Sequence, residues 1–278
     1  MIERIFIPTV NRVNNQITYK GLPPQLKKKV TMVVQEWERP KYHYDCDYLV
    51  LPKNLDLNDY YCLAKTRKII YQEGCNMKYA ILDDDLKFHK RNQKYFGLES
   101  NMETSRRPLE PVELIIMEGI LDKWLDEPNV TIAGIAQVNN PPSNKFWTNN
   151  TSLCGAIWVN GKDFKDILND LPLTEVRFGE DTLFFLSLLS RGYGNRVNQE
   201  YCFENMSLKN TSTLWDANYL TPNHVEADHQ IIEGYFPDFF QILYDEDGER
   251  VKGGFRNYGK TKTSWSKAYK SSQQGKLI

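Results

Sequence analysis

Apolar residues in this chain fall into short, separated runs, and the runs alternate with helical spacing through the first half. Arg4–Val10 is a β-type run that ends at a Pro-Thr turn. Val30–Gln35 is β-branched and continuously apolar, which predicts a strand covered on both faces, because a strand with one wet face alternates. Asp47–Leu51 is a third run, stopped by Pro52. Helical spacing extends from Asn58 to Glu73, with Leu63, Ile69 and Ile70 on the apolar side and Gly74 as the stop. Lys78–Leu82 is the fourth strand, and it runs directly into Asp83, Asp84 and Asp85. Strands separated by helices in this order predict an α/β fold with a mainly parallel central sheet flanked by helices. Ligands of such sheets bind beyond the carboxyl ends of the strands, where the three aspartates lie.

The second half is less regular. Pro111–Asp126 reads as an amphipathic helix, Val130–Val138 as a strand, and Asn139–Ser152 as a polar loop carrying Pro141-Pro142 and Phe146-Trp147. Leu153–Val159 is a strand, Phe164–Leu168 a short helix, Asp181–Leu189 a strongly apolar helix, and Val197–Phe203 a last strand. There is no internal repeat, and no linker that demands two independent domains. The expected organisation is one domain over 1–248, divided into 1–95 and 96–248, followed by a basic tail over 249–278.

Charge changes this picture more than composition does. The net charge of −1 conceals a tail at +7 and a body at −8. A basic tail on an acidic body predicts an anionic partner, with a solvated terminal segment as the bland alternative. Tail cations Arg250, Lys252, Arg256, Lys260, Lys262, Lys267, Lys270 and Lys276 are interleaved with Phe255, Tyr258, Trp265 and Tyr269. They suit either closure over a diphosphate or contact with a nucleic-acid backbone. Lys87, His89, Lys90, Arg91 and Lys94 form a second basic cluster, expected on the acceptor side. Phe146-Trp147 is a candidate stacking platform, or a plug that anchors its own loop. No stretch of 18 uncharged apolar residues occurs, so no membrane-spanning helix is expected. Five scattered cysteines and a strand beginning almost at residue 1 predict free thiols, no secretory signal and a cytoplasmic location.

Three carboxylates at a strand end repel one another and call for a counterion. Oxygen-only ligation points to Mg²⁺ or Mn²⁺, and the competing reading is a solvated acidic turn. Glu180 and Asp181 open the apolar helix, where carboxylates are also favoured simply by the helix terminus. His224 and His229 follow Pro222 in a polar stretch, where surface exposure is the ordinary fate of a histidine.

In these residues the chain resembles the GT-A superfamily of glycosyltransferases, which has a Rossmann-like fold, and particularly its family 2-like branch. The resemblance runs over roughly 4–90, with a second patch around 177–192. Ile5–Arg12 resembles the opening strand and Pro-Thr-x-x-Arg turn, and Ala64-Lys-Thr-Arg67 the helix whose arginine approaches the nucleotide. Tyr79–Asp85 is similar to the apolar strand with its DxD motif. The resemblance implies that Thr9, Arg12, Glu36, Arg67, Asp83 and Asp84 bind the donor, with Glu36 toward the nucleobase. It further implies that Asp85, with Asp83 and a histidine such as His224, holds Mn²⁺ or Mg²⁺, and that Asp181 is the general base. The implied activity is transfer of a sugar from a UDP-sugar to a hydroxyl. The layout with its basic tail also resembles the phage TET-associated glycosyltransferases, which implies a 5-hydroxymethylpyrimidine in DNA as acceptor, flipped from the duplex, in the host cytoplasm. A cell-surface glycan or capsule acceptor, and a nucleotide-binding protein without transfer activity, are the alternatives.

Overall fold

The computed structural model describes residues 1–53, 55, 62–92, 106–140, 145–206, 221–252 and 259–274. Lys94, Pro141-Pro142, Phe255, Arg256, Tyr258, Lys276 and the predicted helix start at Asn58 lie outside the described residues.

The apolar run Val30–Gln35 forms β2, and all six of its residues are buried, as a strand covered on both faces requires. β1 (Arg4–Pro8) lies parallel to it, placing Ile5 beside Val30 and Ile7 beside Met32. β3 (Asp47–Leu51) is parallel to β2 on the outer side, and β4 (Lys78–Leu82) is parallel to β1 on the inner side. These four parallel strands bring Pro8, Gln35 and Leu82 to one rim, because parallel neighbours share their carboxyl ends.

Beyond β4 the sheet is mixed rather than mainly parallel. β9 (Ala156–Asn160) runs antiparallel to both β4 and β7 (Ile132–Gln137). β10 (Asn195–Asn205) is parallel to β7, and β5 (Leu86–Arg91) and β6 (Arg106–Pro108) complete the order β3-β2-β1-β4-β9-β7-β10-β5-β6. The pairing of β10 shifts register between Asn198 and Cys202, the mark of a bulge. There the Asn198 side chain accepts the amides of Glu200 and Tyr201 at 2.8 and 2.9 Å. Before the bulge β10 also pairs β8 (Trp147–Asn149), and after it β5. β8 lies within the segment expected to be loop; three residues are too few for a period of two to register. β5 was hidden because Lys87, His89, Lys90 and Arg91 mask its pattern.

Alternation along β1 feeds two cores. Ile5 and Ile7 face one layer, where Leu114, Met117 and Leu121 of α4 (Pro111–Trp124) pack. Phe6 faces the other, with Ile70 and Tyr71 of α3 (Cys62–Glu73) and Phe184, Phe185 and Leu188 of α5 (Glu180–Leu189). Tyr71 stacks on Phe184 with ring centroids 4.1 Å apart, so α3 and α5 are locked side by side. Two short helices, α1 (Ile17–Gly21) and α2 (Pro24–Lys27), connect β1 to β2. The predicted helix at Phe164–Leu168 is a tighter 3-10 segment, Lys165–Asp170.

The described part of the basic tail is built into the fold. β12 (Thr261–Thr263) pairs β11 (Phe240–Ile242), and Ala268 of α7 (Trp265–Gln274) is buried in a third core. Leu183 and Leu186 of α5 and Ile232 of α6 (Pro222–Tyr235) share that core. No helix among the described residues is long and apolar enough to cross a membrane.

The backbone after β9 packs tightly on the end of α3. A Cβ at Gly161 would overlap the Gly74 carbonyl oxygen, and the Gly161 amide donates to the Met77 carbonyl at 3.0 Å. Backbone cannot rotate away as a side chain can, so Gly161→Ala is expected to cost about 1–3 kcal/mol of stability. Urea unfolding of the two proteins measures this, with a lowered midpoint as the expected result.

Candidate active site at the carboxyl ends of the parallel strands

Asp83, Asp84 and Asp85 leave the rim directly after β4, and a turn from β1 reaches across to hold them. Asn11 takes a left-handed φ of 56°, which asparagine tolerates, and so bends the chain between Thr9 and Arg12. The Thr9 hydroxyl donates to Asp84 Oδ2 at 2.6 Å, and Gln16 donates to Thr9 Oγ1 at 2.7 Å. Arg12 pairs with Asp84 Oδ1 and lies 3.3 Å from Asp85 Oδ2. Thr18 of α1 donates its hydroxyl to the Asp83 carbonyl and accepts the Leu86 amide at 2.8 Å, clamping both ends of the acidic turn. Asn205, at the end of β10, donates to Asp85 Oδ1 at 3.3 Å.

Asp83 faces a second arginine. Arg67 Nη2 lies 3.1 Å from Asp83 Oδ1, and the Arg67 side chain is buried while Asp83 keeps 31% of its side-chain surface. The reason lies in the helix period. Arg67 precedes Tyr71 by four residues and Glu180 precedes Phe184 by four, so the Tyr71–Phe184 stack also aligns Arg67 with the start of α5. Glu180 and Asp181 occupy the first turn of α5, and its N-cap is Gly179 at φ 80°, with no side chain to cap. The structure therefore brings Asp83, Arg67, Glu180 and Asp181 together. Gly155, at φ 63°, completes the wall: its carbonyl accepts the Asp83 amide at 2.8 Å, and a Cβ there would sit 2.9 Å from the Phe203 ring.

Five carboxylates share this cleft with two guanidinium groups, and the proton affinities reflect the surplus. Burial lifts Asp83 to about 7 against the pull of Arg67, helped by the charges of Asp181, Asp85 and Asp84. Burial lifts Asp84 to about 6 against the pull of Arg12. Glu180 is raised by burial and by Asp181, and Asp181 is raised by burial against Arg67. Burial opposes the charge of Arg67, yet Asp181 and Asp83 outweigh it and fix the guanidinium as a cation.

Other residues singled out in the sequence stand elsewhere. Glu36 is exposed on the loop after β2, while Glu38, two residues on, is buried and accepts the Asn11 amide at 2.9 Å. Burial raises the Glu38 carboxyl, and the charge of Asp84 adds to this. Glu38 is thus the acidic side chain of that loop bonded to the Thr9–Arg12 turn, as no spacing rule would have told. His224 closes a capping box at the start of α6, its Nδ1 accepting the Thr221 amide at 3.4 Å. His229 lies beneath Phe178 and Phe240, 2.6 Å from Arg250, and is pushed down to about 4 by burial and that cation, so it is neutral near pH 7. In the second basic cluster His89 and Lys90 meet Glu204 and Glu200 on β10 at 3.3 and 3.1 Å, and Arg91 is buried on backbone carbonyls. Those charges are engaged within the sheet, leaving Lys87 as the exposed one of the four. Phe146 and Trp147 are half exposed, with Trp147 edge-on to Trp124.

No protein-family model matches the chain, and no curated protein matches it. Among solved structures, it aligns with a candidate glucose-1-phosphate thymidylyltransferase from Bacillus anthracis, determined with sucrose, at 9% identity and a TM-score of 0.40. That alignment covers 94% of this chain and 100% of the other. A UTP-bound UGPase from Acinetobacter baumannii aligns at 7% identity and a TM-score of 0.38, over 84% and 93% of the two chains. Both scores are low, and the reading of the site rests on its own geometry.

The side-chain donors crowded into the cleft are carboxylate oxygens, the type that divalent cations take. Surplus carboxylate, and an Asp83 that holds a proton to about pH 7, are what a cation relieves. Among the described residues no three acidic, histidine or cysteine side chains stand at metal-ligand spacing, so substrate oxygens and water would fill the remaining positions.

The acid shifts set a pH dependence. Folded Asp83 and Asp84 keep protons that the unfolded chain, with carboxyls near 3.8, has already released. Stability therefore falls as pH rises from about 4 to about 7, and the full penalty stands above that. The metal-free protein is expected to melt at lower temperature at pH 8 than at pH 5.5. In Asp83→Asn the decline shrinks; thermal melts of both proteins across this range check the sign.

Proposed function

We propose that the chain is a nucleotide-sugar-dependent glycosyltransferase, moving a sugar from a UDP-sugar to a hydroxyl acceptor. The observation that carries this reading is the convergence of two groups on one cleft. Thr9, Arg12 and the three aspartates stand at the strand rim, Arg67 reaches them from α3, and Glu180 and Asp181 face them from the start of α5. The first set suits the donor, with Glu38 on the side of the nucleoside; the second suits an acceptor.

The chemistry follows from charge. Asp181 takes the proton of the acceptor hydroxyl as that oxygen bonds to the anomeric carbon, and the bond to the diphosphate breaks with its electron pair leaving on UDP. Burial raises the proton affinity of Asp181 against the pull of Arg67, the direction a general base needs. Asp83 and Asp85 would hold Mg²⁺ or Mn²⁺, which supplies positive charge to the leaving diphosphate. Asp85 is already oriented by Arg12 and Asn205. His224 remains a proposed ligand only if it leaves its cap on Thr221.

The favoured acceptor is a 5-hydroxymethylpyrimidine in DNA. Its support is the set of exposed lysines, Lys260, Lys262, Lys267 and Lys270, carried on and beside β12 and α7. A second reading is nucleotidyl transfer between a nucleoside triphosphate and a sugar phosphate. Asp83 and Asp181 acting on one arginine favours it, because paired carboxylate groups also suit two cations.

Calorimetric titration with UDP in Mn²⁺ and then in EDTA tests the donor half, and equal affinity in both overturns the cation role of the aspartates. Asp181→Asn should keep UDP affinity and slow transfer to hydroxymethylated DNA by about 10²–10⁴-fold. Product analysis by mass spectrometry separates the readings: UDP with glycosylated acceptor supports transfer, whereas pyrophosphate supports nucleotidyl transfer. Neutralising the four lysines should weaken DNA binding and flatten its salt dependence, by a slope of about 0.9 for each phosphate no longer neutralised. An unchanged slope removes them from the acceptor site.

A further inference from the structure

A groove of about 560 Å³ opens between the 3-10 segment Lys165–Asp170, the C-terminal part of α5 and the end of α6. Its volume falls within the roughly 300–1,000 Å³ of small-molecule sites. It is separate from the acidic cleft, since Ser187 in its wall lies about 10 Å along α5 from Glu180. Leu171 and Phe236 are buried in its lining, Tyr235 is half exposed, and Phe239 is partly buried with the Lys267 ammonium 5.9 Å from its ring centroid. Asp170, Glu175 and Arg191 are exposed around it. One Arg191 N–H donates to the Ser187 carbonyl at 2.8 Å, which fixes the guanidinium and leaves further donors of its fork for a ligand.

We propose that this groove binds a neutral oligosaccharide, at a site distinct from the acidic cleft. The charge pattern decides the ligand class. Asp170 and Glu175 disfavour phosphates and other anions, and Arg191 disfavours lysine-rich or arginine-rich segments. A polyhydroxyl ligand suits both signs, because each hydroxyl donates to a carboxylate and accepts from a guanidinium. The Tyr235 ring meets the remaining need, as the C–H faces of a sugar ring are apolar and pack on an exposed aromatic face. The proposal stands on the groove's own residues and is independent of the transferase reading.

Saturation-transfer NMR on the full chain tests it, with maltotriose, cellotriose and triacetylchitotriose as probes and excess UDP present. At least one trisaccharide should bind, and UDP should leave that binding intact. Tyr235→Ala and Asp170→Asn, both at exposed positions and checked for unchanged melting, should each weaken it at least tenfold, and Asp181→Asn should not. Absence of binding by all three probes overturns the proposal. So does binding abolished by UDP, binding unaltered in both groove variants, or preferential capture of trilysine or triglutamate by the groove.

Discussion

The buried guanidinium of Arg67 is the group on which the arrangement of this cleft depends. It pairs with Asp83 on the sheet and interacts with Asp181 on α5, so one cation holds together two acidic elements that would otherwise repel. An isolated charge at such depth is costly, and it is tolerated because carboxylates surround it. Its position is set by packing rather than by charge. The Tyr71–Phe184 stack lies one helical turn away and fixes how α3 and α5 face each other. Hydrophobic contact thus sets the geometry, and the electrostatics follows from it.

Arg12 plays the corresponding part on the other side of the acidic turn, and the two arginines divide the carboxylates between them. Asp84 is enclosed by Thr9 and Arg12 and is oriented inward, as a structural anchor of the turn. Asp83 keeps more exposed surface, and its carboxyl is lifted to about 7. Adjacent residues of one type have therefore acquired different properties from their surroundings alone. In the fold the triplet is an anchor, Asp84, an oriented acid beside Asn205, Asp85, and one acid open to the cleft, Asp83.

Much of the scaffold was legible in the chain. Val30–Gln35, Asp47–Leu51 and Lys78–Leu82 form strands with the predicted bounds, because apolar runs between turn residues are unambiguous at that length. Illegible were elements whose side chains serve neighbours rather than a period. β5 carries charges that pair with β10, β8 is three residues long, and α1 matters through the single hydroxyl of Thr18. In the site, Arg12, Arg67 and the aspartates were visible as a spaced set. Glu38 was not, since two acidic residues stand on one short loop and only backbone geometry turns one of them inward. Asn205 and Gly155 were beyond reach for a different reason: each meets the acidic turn from more than seventy residues away, with no local pattern to betray it.

The tail shows what charge patterning leaves out when it is read without burial. Its lysines are exposed, as a solvated face requires, yet the backbone that carries them is fastened by β12 and by Ala268 in the third core. Arg250 is drawn inward to His229 and closes against Gly259, so it belongs to the packing beside α6 rather than to the basic face. Since α6 and α7 both pack on α5, the helix that presents Glu180 and Asp181 is held from both the sheet side and the tail side. The general base proposed at Asp181 would have to be fixed to within a fraction of an ångström, and a helix start clamped between two cores suits that demand. The described part of the tail therefore contributes to the cleft mechanically, through the packing of α7 on α5.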